Sequence, residues 1–135
     1  IIQSVVVGIA AISLIVGGIG ITNTMYTAVL ERTKEIGVMK AIGAKNSDIA
    51  IIFLLESGML GLAGGIIGII LGLGVAELVA MLARHQLDST LFQASVSTAF
   101  MIAMLTFAFV LGSLAGTLPA IQASKLVPVD ALRHE

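Results

Sequence analysis

The feature that most constrains this chain is the segment 57–76, in which 20 consecutive residues carry no charged side chain. Seven of these residues are glycine and nine are Leu, Ile or Val. Twenty helical residues rise about 30 Å, which matches the hydrocarbon core of a bilayer. In water, each glycine destabilises a helix by roughly 1 kcal/mol relative to alanine. In a bilayer the helix forms nonetheless, because lipid contains no water to hydrogen-bond the N–H and C=O groups of a non-helical backbone. The segment therefore predicts a membrane-spanning helix that packs closely against other helices.

The composition of the whole chain agrees with a membrane location. Hydrophobic residues make up 58% and charged residues 11% of the sequence, whereas a soluble domain has about 25% charged residues. The absence of cysteine excludes disulfides and cysteine metal sites. No G-x-x-x-x-G-K-[ST] motif is present, so we expect no bound nucleotide or other cofactor. We also expect no metal site, no nucleic-acid partner and no enzymatic activity in these 135 residues.

Three long uncharged stretches predict an all-α integral membrane fold with three transmembrane helices. Each stretch exceeds the 18 residues that separate a membrane span from a buried helix of a soluble protein. The predicted spans cover about residues 1–30, 49–82 and 97–120.

The basic residues predict the orientation of these spans. Four of them lie in the connection 31–48 and two in the tail 121–135, against one in the connection 83–96. Because positively charged loops stay in the cytoplasm, we expect the first connection and the tail to be cytoplasmic and the second connection to be external. The N-terminus then starts outside, so we expect the chain to be a piece of a longer protein with at least one preceding span.

Glycines in the second and third spans predict close helix packing. In the second span they are spaced 3, 4, 3 and 4 residues apart, which keeps them on one stripe: Gly58, Gly61, Gly65, Gly68 and Gly72. Gly112 and Gly116 belong to a four-residue repeat of small residues in the third span. The simpler interpretation is tight packing within one subunit, and the alternative is a contact along which helices slide.

Asn23 and Glu56 are the candidate polar residues within the membrane. A carboxylate at mid-bilayer costs roughly 2.5–3.5 kcal/mol on insertion scales. Glu56 lies near the end of its span, where it can reach water, so we interpret it as an interfacial charge. The alternative is a polar contact between Glu56 and Thr22, Asn23 or Thr24 at the same membrane face.

The connection 31–48 is the most specific segment of the sequence. It begins with a charged run and then becomes amphipathic, with three apolar residues recurring at roughly one helical turn: Ile36, Met39 and Ile42. Gly43 is a plausible helix stop, and Asn46 or Ser47 can cap the next helix. The pattern predicts a short surface helix between two spans, which either lies on lipid headgroups or docks into a cytoplasmic partner.

Several motifs in sequence order resemble the FtsX/MacB-type permease family of ABC transporters. The resemblance begins with Gly-Ile-Gly-Ile-Thr-Asn at 18–23, Glu-Arg-Thr-Lys-Glu-Ile-Gly at 31–37 and Lys-Ala-Ile-Gly-Ala at 40–44. It continues through Leu-Glu-Ser at 55–57 with its following glycines and ends in the tail 119–133. The motifs together cover nearly the whole chain.

This resemblance implies a permease that works with an ABC ATPase, which binds ATP and Mg²⁺, and with a second permease copy in a dimer. It implies the cytoplasmic (inner) membrane as the location, and a missing first span and external domain. The implied function is to transmit ATPase-driven motion across the membrane for export, lipoprotein release or a related envelope function. The residues predicted to couple to the ATPase are Glu31, Arg32, Lys34, Glu35, Ile36, Gly37, Met39, Lys40, Ile42 and Gly43.

Two other functions are consistent with a multi-span membrane chain. A channel or secondary transporter predicts ionisable groups at mid-membrane and broken helices. A structural membrane assembly subunit predicts no ATPase partner.

Overall fold

The structure, a computed structural model, describes residues 1–87 and 97–127. In these residues the chain forms five helices and no strand, which confirms the all-α prediction. The helices are α1 (Ile2–Glu31), α2 (Thr33–Ala41), α3 (Asn46–Leu87), α4 (Thr98–Ala115) and α5 (Thr117–Ser124). Most of the predicted external connection 83–96 and the end of the predicted tail 121–135 lie outside the described residues.

Three helices of the described chain are long and apolar enough to cross a membrane, as predicted: Ile2–Glu31, Asn46–Ala83 and Thr98–Ala115. Their apolar windows have mean hydropathies of 2.4, 2.5 and 2.0, and only 0%, 6% and 6% of each window is buried inside the chain. So much exposed apolar surface is unfavourable in water and suits contact with lipid or with other membrane helices. The domain is therefore part of a multi-pass membrane protein.

The third span is followed by a break in the helix. α4 ends at Ala115, five residues before the predicted end of the span, and the chain continues through Gly116 into α5. α3 packs mainly against α4 and next against α5, while α1 contacts both more lightly. At Gly116 the backbone bends locally (φ −80°, ψ −4°), and α5 packs against α3 and α1 at one end of the bundle.

α2 ends at the glycine that the sequence predicts as its stop. Gly43 has a φ of +106°, which lies in the left-handed region. Its N–H donates to the carbonyl of Lys40 at 3.1 Å, and the N–H of Ala44 donates to the carbonyl of Met39 at 3.0 Å. These two bonds form a Schellman motif, which satisfies the last carbonyls of the helix.

α3 begins one residue earlier than a cap at Asn46 requires and two residues earlier than a cap at Ser47 requires. Asn46 is already helical, and Lys45 is the residue that precedes the helix. The carboxylate of Asp48 accepts a hydrogen bond from the N–H of Lys45 at 3.0 Å. The predicted cap is therefore wrong, because the side chain three residues further on provides the capping bond.

Candidate functional site

The candidate site is the polar end of the bundle, which we define as α2, α5, the last turns of α1 and the first turns of α3. Its centre is an apolar core of seven residues: Met25, Val29, Ile36, Ile49, Phe53, Ala120 and Ala123. Each is at most 5% exposed. Because these residues come from four helices, burial of their side chains holds the four helix segments together.

The structure divides the predicted apolar ridge of α2 between two sides of the helix. Ile36 is completely buried in the core, and Met39 packs against the core while partly buried. Ile42 is 82% exposed. The physical reason is helix geometry. Each residue rotates the chain by 100°, so the six residues from Ile36 to Ile42 place the two side chains 240° apart around the helix axis. Gly37 is also buried, next to Ile36.

Arg32, at the junction of α1 and α2, connects α2 to α3. Its guanidinium lies 3.0 Å from a carboxylate oxygen of Glu35 and 3.0 Å from one of Glu56. It also lies 5.8 Å from the centre of the Phe53 ring, within the range of a cation–π contact. The hydrogen bond to Glu35 and the charge of Glu56 raise the pKa of Arg32, so the guanidinium stays protonated at any physiological pH.

Glu56 therefore has a basic partner, Arg32, rather than the polar partner that the alternative interpretation of the sequence offered. Its side chain is 40% exposed, as an interfacial charge should be, and it accepts two hydrogen bonds from Arg32. The hydroxyl groups of Thr22 and Thr24 bond to backbone carbonyls instead. Asn23 is exposed on α1. The structure thus places Glu56 in an ion pair at the polar end of the bundle and Asn23 on the exposed surface of α1.

Lys40 connects α2 to the end of α5. Its ammonium donates to the carbonyls of Ser124 at 2.5 Å and Leu126 at 2.7 Å. Ser124 is the last residue of α5 and Leu126 follows it by two residues, so the ammonium lies at the C-terminal end of the helix, where the helix dipole favours a positive charge. This contact has no local signal, because Lys40 and Ser124 are 84 residues apart in the sequence.

The outer face of α2 is an exposed stripe of mixed chemistry. Within α2 its members recur every three or four residues, as one side of a helix requires, and they are Lys34, Glu35, Val38 and Ala41. Three exposed residues flank the helix and extend the stripe: Glu31 before it, and Ile42 and Lys45 after it. Val38 is 48% and Ile42 82% exposed, so apolar surface lies beside charges of both signs. We call these residues the outer stripe of α2.

Three glycines of the predicted α3 stripe lie directly against α4. A β-carbon built on Gly58 would meet Phe109 and Ser113, and one on Gly61 would meet the backbone of Ala108 and Gly112. A β-carbon on Gly65 would lie 2.7 Å from that of Ala108. Gly112 and Gly116 face back toward α3, where they approach the backbone of Gly61 and Ser57 and the side chain of Ser57.

Gly68 and Gly72 have a different environment from the other glycines of the stripe. A β-carbon on either would have no neighbour within 4 Å. Both line an apolar groove of about 390 Å³ between α3 and α4, opposite Phe100 and Met104. Close packing in this structure is thus limited to the half of the stripe nearer the polar end of the bundle.

No cluster of three or more His, Cys, Asp or Glu side chains that could hold a metal ion occurs within residues 1–87 and 97–127. What the polar end presents is a short helix, α2, whose inner side is buried against neighbouring helices and whose outer side is exposed.

Comparison with known proteins identifies the family. A model of the family described as FtsX-like permease C-terminal matches residues 7–128. The ABC transporter permease MJ1507 of Methanocaldococcus jannaschii is 47% identical over 130 residues, which cover 96% of this chain and 32% of the relative. The macrolide export ATP-binding/permease protein MacB of Bdellovibrio bacteriovorus is 46% identical over 127 residues, which cover 94% of this chain and 18% of the relative.

The ABC transporter permease YknZ of Bacillus subtilis is similar over the whole chain. It is 41% identical over 135 residues, which are 32% of its own length. This chain thus spans between 18% and 32% of the length of these three relatives. The family match alone covers most of the sequence. The chain belongs to the family of FtsX-like permease C-terminal domains.

Proposed function

We propose that this domain is the membrane part of an ABC transporter permease of the MacB type and that it transmits ATPase-driven motion across the membrane. Membership of the FtsX-like permease family and the names of the relatives, an ABC transporter permease and a macrolide export ATP-binding/permease protein, support the proposal. ATP hydrolysis then belongs to a partner or fused ATPase. A second permease copy completes the transporter in the cytoplasmic membrane, where it serves export, lipoprotein release or a related envelope function.

The observation that carries the proposal is the way α2 is attached. Ile36 on its inner side is fully buried among residues of α1, α3 and α5. Arg32 at its start bonds to Glu56 of α3, and Lys40 near its end bonds to carbonyls at and just beyond the end of α5. A force applied to α2 is therefore transmitted to α1, α3 and α5 and does not displace α2 alone.

The outer stripe of α2 is the surface on which we place the ATPase. Val38 and Ile42 supply exposed apolar area, and the flanking charges of Lys34 and Glu35 supply register. An apolar anchor surrounded by charges is a common arrangement of docking helices. This assignment moves the apolar contact from the predicted ridge, whose Ile36 is internal, to Val38 and Ile42.

The test uses the full-length permease together with its ATPase. Ile42→Glu places a charge on the most exposed apolar residue of the outer stripe and disturbs no buried contact. We expect it to leave folding unchanged and to abolish co-purification of the ATPase. Val127→Glu is the matched control, because Val127 is 52% exposed near the end of α5 and lies outside α2. Unchanged ATPase binding by the Ile42 variant would refute the assignment of this face.

A further inference from the structure

The bend between α4 and α5 leaves a backbone carbonyl that its own helix cannot satisfy. In a continuous helix the carbonyl of Ala115 accepts a hydrogen bond from the N–H of residue 119. Residue 119 is proline, which has no N–H and whose ring pushes against the carbonyl four residues before it. Pro119 is completely buried and Gly116 is buried as well, so the bend lies inside the packed bundle.

A side chain of another helix reaches this carbonyl. The hydroxyl of Thr22, on α1, lies 2.7 Å from the carbonyl oxygen of Ala115 across 93 residues of sequence. The same hydroxyl lies 3.0 Å from the carbonyl of Gly18, one turn earlier in α1. It has a single proton to donate. Gly18 already accepts the regular backbone bond of α1, and the contact with Ala115 is the shorter of the two.

We propose that Thr22 is a positioning residue whose hydroxyl replaces the donor that Pro119 lacks and thereby fixes the bend of the third span against the first. A backbone carbonyl at the edge of a bilayer needs a donor, and a hydroxyl from a neighbouring helix is one of the few available. The bend therefore depends on α1, and it keeps its angle only while α1 stays in place.

Two contacts then tie α5 to the rest of the bundle at its two ends. Thr22 holds the carbonyl just before α5, and Lys40 holds the carbonyls of Ser124 and Leu126 at its end. α5 consequently moves together with α1 and α2. The hydrogen bond between Thr22 and Ala115 can be tested whether or not an ATPase binds the domain. Only a role of this bond in transmitting motion rests on the function proposed above.

A double-mutant cycle between Thr22 and Pro119 tests the inference in the full-length protein. Thr22→Val keeps the branched shape and removes the hydroxyl. Pro119→Ala restores an N–H that can donate to Ala115, so the hydroxyl becomes redundant. Interhelical hydrogen bonds in membranes contribute roughly 0.6 kcal/mol on average and at most about 1.7, so we expect Thr22→Val to raise the unfolding constant about three- to twenty-fold while Pro119 is present. In the Pro119→Ala background the change should fall below about twofold.

Two further variants separate the proposed bond from general effects. Thr22→Ser retains the hydroxyl and should restore wild-type stability. Thr24→Val is the matched control, because the exposed hydroxyl of Thr24 bonds only to Gly20 of its own helix, and it should have no measurable effect. Reversible unfolding in mixed micelles gives the constants. The proposal would be overturned if Thr22→Val changed the unfolding constant equally in the Pro119 protein and in the Pro119→Ala background. This outcome does not depend on whether an ATPase binds α2.

Discussion

At Gly61, α3 lies directly against the backbone of α4. A β-carbon at Gly61 would collide with the carbonyl oxygen of Ala108 and lie 2.9 Å from the α-carbon and 3.1 Å from the nitrogen of Gly112. All three are backbone atoms, which cannot rotate away as a flexible side chain can. Gly61→Ala must therefore push the two helices apart.

The expected cost follows from that geometry. Overpacking of a tight contact typically costs about 1–3 kcal/mol, and separating two helix backbones belongs in the upper part of this range. We expect a loss of about 2 kcal/mol in the free energy of unfolding, which is about a 30-fold change in the unfolding constant. Gly65→Ala should cost less, because its β-carbon meets only the β-carbon of Ala108, at 2.7 Å.

Gly64→Ala is the matched control on the same helix. A β-carbon at Gly64 has no neighbour within 4 Å, so this variant should be neutral or more stable by up to about 1 kcal/mol from helix propensity. The measurement is reversible unfolding of the full-length protein in mixed micelles, followed by helix content. If Gly61→Ala and Gly64→Ala unfold alike, the α3–α4 contact is not the tight backbone crossing described above.

Three further predictions concern the polar end of the bundle. Glu35→Lys should cost at most about 1 kcal/mol of stability, because the Arg32–Glu35 pair is largely exposed, yet ATPase co-purification should fall; a helix bound only to anionic lipid would be unaffected or strengthened. Ile36→Ala should lower the free energy of unfolding by about 2–5 kcal/mol because Ile36 is fully buried, whereas a change at an exposed position of α2 should stay within about 0.5 kcal/mol. An impermeant thiol reagent on intact cells should label Gln86→Cys and leave Lys45→Cys unlabelled, and the reverse pattern would contradict the orientation inferred from the basic residues.

The sequence alone was sufficient for the membrane class, the number of spans and the family. These properties follow from local signals: uncharged runs of more than 18 residues, frequent glycine within those apolar runs, and motifs that follow the order of the family along the chain. The stop of α2 at Gly43 was predictable for the same reason, because a left-handed residue after a helix favours glycine whatever the surrounding fold.

The roles of individual side chains in α2 could not be read from the sequence. Ile36, Met39 and Ile42 form one apolar pattern in the chain, yet one is buried, one half-buried and one exposed. Apolar periodicity predicts a shared face only for residues that fall within the limited angular width of one helix side. It does not show which other helix covers that face. The ion pair of Arg32 with Glu35 is suggested by their three-residue spacing, but the pair with Glu56 joins two helices and has no local signal.

The glycine stripe shows the same division between sequence and tertiary structure. Its spacing determined that all five residues lie on one side of α3, and this property belongs to any helix. Which of them are packed depended on where α4 crosses α3, so that Gly58, Gly61 and Gly65 lie in contact while Gly68 and Gly72 line a groove. A carbonyl freed by Pro119 is predictable from helix geometry, but the donor comes from Thr22, 93 residues away. Contacts between distant segments depend on the angle at which helices meet, and that angle is fixed only when the whole bundle is packed.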